Sequence, residues 1–146
     1  MSPRPEDVAA VEAANAALYR AVETGDLDLM EAVWDDGSAV ACVHPGWHLL
    51  RGRGPVLRSW AAVMASRQYL QFILTDVAVE VTGDVAVVTC TENILAGVED
   101  DATSFEAATV VATNVLRRRP SGWRVVLHHG SPVVASRGDA PAEGDT

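Results

Sequence analysis

Lysine is missing from this chain, and every basic residue is an arginine. Eleven basic residues face twenty acidic ones, leaving a formal charge of −9. That balance excludes a nucleic-acid surface, because nothing here could neutralise a run of phosphates. The one basic cluster, Arg117-Arg118-Arg119, precedes the turn Pro120-Ser121-Gly122 and reads as a solvated hairpin end. Arginine without lysine, beside abundant alanine and valine, points to a GC-rich bacterial genome. Cysteine is scarce too. Cys42 and Cys90 are too few for a disulfide framework and read as buried thiols of a cytoplasmic protein, a bridge between them being the lesser alternative. No apolar run approaches the roughly 18 residues of a membrane span. The opening MSPRPEDVAA lacks the charged-then-apolar layout of a signal peptide. Neither a membrane nor a nucleic acid is therefore expected as a partner.

What is present suits one globular domain. The 146 residues can bury a real core, and 49% of them are hydrophobic. We expect a single domain over residues 1–135 and a disordered tail over 136–146, where SRGDAPAEGDT is small and polar. From Glu6 to Glu23, Val8, Val11, Leu18 and Val22 recur at helical spacing, with Asn15 on the same stripe. Gly25 can stop this helix in a left-handed conformation, and Asp26 can cap a second one, LDLMEAVW. SAVACVH reads as a short strand ended by Pro45-Gly46, and Gly54 to Ser66 as a third helix with Pro55 in its first turn. The remainder reads as antiparallel sheet: 70–82, a turn at Gly83-Asp84, 85–96, the acidic loop GVEDDAT, 104–118, a second turn, and 123–134. The fold class is α+β.

Strand register turns this outline into candidate sites, since facing residues share one side of a sheet. With Thr82 opposite Val85, Glu92 falls opposite Thr75, on a face with Val77, Val79, Val81, Val88 and Cys90. With Arg118 opposite Trp123, Asn114 falls opposite Leu127, on a face with Trp123, Val125, His129 and Ser131, while His128 points away. An even register between the two hairpins brings Glu92, Asn114 and His129 together. A buried carboxylate among valines must be paired or protonated. The trio is thus either a satisfied polar network or a set of acid–base groups, with Glu92 and His129 the catalytic candidates.

The stretch VHPGWHLLRG, residues 43–52, raises the question of metal, because His44 and His48 stand four apart. Pro45-Gly46 forbids the helix that spacing would need, and no carboxylate or cysteine set completes the ligands beyond Cys42. No metal and no cofactor is expected. The stretch reads instead as the rim of an apolar pocket, with His44 turned inward and Trp34, Trp47 and Trp60 as walls. Asn15 and Asn114 complete the expected ligand-binding residues.

The element order resembles the nuclear transport factor 2-like (NTF2-like, ketosteroid isomerase-like) superfamily, and within it the SnoaL-like group. The resemblance rests on ETGDLDLMEAVWDDGSAVACVHPGW, GDVAVVTCTENIL, ATNVLRR and GWRVVLHHGSPV, and spans roughly residues 6–134. It implies a cone, a curved antiparallel sheet wrapped around three N-terminal helices, and a homodimer. The superfamily includes isomerases, polyketide cyclases, dehydratases, an epoxide hydrolase and pure binding modules, so fold does not decide function. The isomerase base aspartate and the epoxide hydrolase aspartate–arginine–aspartate set have no match here, and Tyr19 lies off the apolar stripe of its helix. Three functions remain: a module binding a small molecule in an apolar pocket, an acid–base enzyme using Glu92 or His129, and an interaction module with a vestigial pocket. The valine–threonine face of Val87, Thr89 and Thr91 offers a dimer surface in each.

Overall fold

A computed structural model describes residues 4–66, 69–98 and 101–134. The expected tail, 136–146, lies outside them. Helix α1 runs Pro5–Thr24, with proline at its start and acidic Glu6 and Asp7 in its first turn, where the helix dipole favours them. It ends at Gly25, whose φ of 66° lets its N–H turn back to Ala21 and Val22. Asp26 then accepts from the Leu29 amide at 3.0 Å and starts α2, Leu27–Val33. Strands β1 (Ala41–Val43) and β2 (Leu50–Arg51) flank the histidine stretch, and α3 covers Arg53–Ala65. Four long strands follow: β3 (Leu70–Thr82), β4 (Val85–Val98), β5 (Asp101–Arg119) and β6 (Gly122–Pro132).

These strands form one curved, unclosed sheet in the order β2-β1-β6-β5-β4-β3. All neighbours are antiparallel except β1 and β6, which run parallel, with Cys42 opposite His128. The three helices pack on its inner face, and Leu18, Met30, Trp34, Val56, Val88, Leu116 and Val125 make the core between them. The architecture is the expected α+β cone. Its details differ in three ways. β2 was not foreseen, because two residues carry no periodic signal. The strands beside the acidic loop run on to Val98 and start again at Asp101. The arginine cluster is more than a solvated end: Arg119 clasps the buried Asp35 carboxylate with two nitrogens, at 2.6 and 2.8 Å. Arg118 bonds Asp7 of α1 at 2.9 Å and lies over the Trp123 ring. Both arginines hold their carboxylates below the usual range, Arg118 tying the β5–β6 turn to α1 and Arg119 tying it to the segment after α2.

Two bulges decide which side chains face inward. On β3 the pairing jumps between Thr75↔Thr91 and Ala78↔Thr89, so two β3 residues oppose one of β4; Asp76 there takes a φ of 53°. On β6 it jumps between Leu116↔Val125 and Val115↔Leu127, leaving Val126 as the extra residue.

Candidate functional site

Glu92 faces the interior from the middle of β4, 2% exposed, among Phe72, Ile94 and Val110. Its register partner is Leu74 rather than Thr75, because of the β3 bulge. The same bulge overturns the expected place of Val77, which is exposed on the outer face while Leu74, Phe72 and Leu70 turn inward instead. Tyr19 reaches down from α1 and donates its hydroxyl proton to Glu92 Oε2 at 2.7 Å. Burial pushes the Glu92 carboxyl up to about 7, against the opposing pull of that hydrogen bond. The Tyr19 phenol is raised far out of the titrating range, first by burial and then by the neighbouring carboxylate.

Behind Tyr19 lies a chain of amides. With its own proton committed to Glu92, the Tyr19 oxygen accepts from Asn114 Nδ2 at 3.1 Å, and the same Nδ2 donates to Asn15 Oδ1 at 2.8 Å. That orients the Asn114 amide, so its Oδ1 must accept from His128 Nδ1, 2.6 Å away. A second histidine is fixed in the same manner. Ser59 donates to the Val56 carbonyl at 2.6 Å, so its oxygen accepts from His44 Nε2 at 2.8 Å. Desolvation holds both rings neutral, His44 down to about 4 and His128 to about 3, the latter also disfavoured by His44 and His129.

Tyr19, His44, Glu92 and His128 share the wall of a cavity of about 260 Å³. Val63, Leu70, Phe72, Ile94, Ala96 and Trp60 supply its apolar surface, with Pro45 and the half-exposed Trp47 at the mouth. The Trp60 ring stands 4.5 Å from His44 and 5.2 Å from His128, centroid to centroid. Among the described residues no arginine lines this cavity, and no group of three metal-ligating side chains occurs.

The structure thus brings Glu92, His44, Trp47 and Trp60 to one cavity. Asn15 and Asn114 are buried outside its lining, Asn114 bonded to Tyr19 and Asn15 to Asn114. Trp34 is placed elsewhere: fully buried in the core and bridged to Val125, it forms no wall. His129 is exposed on the outer face, and His128 takes the place expected of it, because Val126 shifts every later residue of β6 by one. Sequence reasoning missed His128 and Tyr19. The signal for Tyr19 was available: four residues after Asn15, it lies on the apolar stripe itself and is buried, not off it as expected. His48 is exposed and takes no part.

The sequence profile of the SnoaL-like domain family matches residues 11–135. Among solved structures, a Streptomyces avermitilis protein of the NTF2-like family, provisionally named a dehydratase, is 50% identical. The match covers 89% of this chain and 98% of that one, with a TM-score of 0.82. A Thiobacillus denitrificans protein, provisionally named an association domain of calcium/calmodulin-dependent protein kinase type II, is 34% identical over 84% of this chain and 94% of its own, with a TM-score of 0.71. An NTF2-like superfamily protein of Salmonella enterica shares the fold at 19% identity, covering 92% of this chain and 94% of that one, with a TM-score of 0.77. No curated protein matches the chain.

Proposed function

The chain belongs to the SnoaL-like domain family, and on that premise we propose that it binds a small, largely apolar molecule in the Glu92 cavity and moves a proton on it. The observation that carries this reading is the Glu92 carboxyl itself. It is buried in an apolar wall, steadied at one oxygen by Tyr19, and raised to about 7. Such a group gives and takes a proton at neutral pH, as a general acid–base must. In a dehydration Glu92 would take a carbon-bound proton and return it to the departing hydroxyl, which leaves as water as the carbon–carbon double bond forms. In an isomerisation it would return the proton to another carbon, with neutral His44 or His128 accepting from a ligand hydroxyl. The Streptomyces relative provisionally named a dehydratase supports that reaction class.

The buried free thiols suit the reducing cytoplasm. No described helix is long and apolar enough to cross a membrane. A homodimer through the outer sheet face is part of the same proposal: Ile73, Val77 and Val111 leave that face partly apolar.

The test begins with native mass spectrometry of gently purified protein, where a retained ligand would appear as extra mass on a dimer. Glu92→Gln should then keep that ligand while its conversion falls by two orders of magnitude or more, the range of acid–base catalysis. A binding module without chemistry is the outcome if the wild type converts nothing it holds.

A further inference from the structure

The cavity's polar atoms carry a chemical signature beyond the presence of an acid–base group. His128 spends its Nδ1 proton on Asn114, and His44 spends its Nε2 proton on Ser59. Each neutral ring is left with one bare nitrogen, His128 Nε2 and His44 Nδ1, able only to accept. Neither nitrogen has a partner among the described residues, and neither is sealed in protein. Among the described residues, the side-chain atoms that are both sealed and unpaired are the indole nitrogens of Trp34 and Trp60. The bare nitrogens therefore open onto the cavity that their rings line. The two rings stand 6.4 Å apart, centroid to centroid, and both lie against Trp60. The donor that could have balanced them, the Tyr19 hydroxyl, is committed to Glu92.

We infer that the cavity selects its ligand by hydrogen-bond donors: a small neutral diol or dihydroxyarene whose hydroxyls donate to His44 Nδ1 and His128 Nε2, with carboxylates and phosphates rejected. This rests on the reading of the cavity as a binding site. An anion would arrive among acceptor nitrogens and the carboxyls of Glu92 and Glu106, with no described arginine in the lining to replace its lost water. A molecule of the same shape without hydroxyls would leave two acceptor nitrogens dry and unpaired. A diol satisfies both, and its ring or chain fills the space beside Phe72, Ile94 and Trp60.

Two measurements on the unmodified full chain decide it. Long-range proton–nitrogen NMR at pH 7 should find His128 protonated at Nδ1 alone and His44 at Nε2 alone. The opposite tautomer, or a doubly protonated ring, at either position overturns the inference. Binding is then compared for three probes of one ring size: resorcinol, 1,3-dimethoxybenzene and isophthalate, followed by the histidine nitrogen shifts and by tryptophan fluorescence. Resorcinol should bind about 30-fold more tightly than its dimethyl ether, the worth of two ordinary hydrogen bonds, and isophthalate should not bind. If the ether or the dicarboxylate binds as well as the diol, donor selection is wrong while the cavity stands as a binding site. If none of the three binds, the binding reading itself fails, and this inference with it.

Discussion

The β3–β4 and β5–β6 hairpins look alike in sequence, yet their bulges have opposite consequences for the site. Both turns pair as the sequence indicates, Thr82 with Val85 and Arg118 with Trp123. Each hairpin also carries one extra residue in mid-ladder. In the first hairpin it sits on β3, so β4 keeps its unbroken alternation and Glu92 stays inside with Val88 and Cys90. In the second it sits on β6 itself, between the turn and the histidines, so His128 and His129 exchange faces. A bulge re-aims only the strand that contains it, beyond the point of insertion. Carrying a register forward from a turn is therefore safe for the strand opposite a bulge and wrong for the bulged one.

The largest effect comes from truncating each of the two adjacent histidines of β6 in turn. His128→Ala removes a ring buried in the cavity wall and leaves Asn114 Oδ1 unpaired, and should cost about 4 kcal/mol. His129→Ala, on the exposed face, should stay within about 0.5 kcal/mol of wild type. Urea unfolding of both reads the difference, and the reverse order would restore the unbulged register.

The next effect is a pH dependence that separates Glu92 from the histidines. Glu92 has a folded value of about 7, above its ordinary 4.5, so the folded chain holds an extra proton and stability drains as pH rises across that interval. His44 and His128 lie below their ordinary 6.5, at about 4 and about 3. For them the unfolded chain holds the extra protons, and stability drains as pH falls below 6.5. Glu92→Gln removes only the first slope. Its stability relative to wild type should rise by about 3 kcal/mol from the acid to the alkaline side of that interval, as unfolding midpoints measured across pH would show. A difference that does not change with pH would mean that Glu92 is not held in an apolar wall.

The smallest effect sharpens the other bulge. Val79→Ala trims a side chain packed against the core and should cost about 1–2 kcal/mol, whereas Val77→Ala, outside, should cost next to nothing. Equal costs would place both valines on one face, as a regular β3 would.

Much of the molecule is legible in the chain because its signals are local. The α1 stripe, the Gly25 stop, the Asp26 cap and the two hairpin turns depend on residues a few positions apart, and each appears where its chemistry requires. Glu92 was legible for the same reason: an acidic residue interrupting an alternating apolar face stands out on an unbulged strand. Trp34 was not, because a tryptophan at a helix end suits a cavity wall and a core equally until its neighbours are known.

Local spacing by itself determined the element types, the order of helices and strands, and the side of β4 on which a carboxyl must be buried. Only the tertiary structure decided which histidine enters the cavity, that Tyr19 and Asn114 link it to Glu92, and which ring nitrogens are left bare. The physical reason is that a bulge shifts a strand by one residue for reasons of sheet curvature and packing. Tautomers, likewise, are set by partners that lie far away along the chain, as Asn114 does from Asn15 and Ser59 from His44.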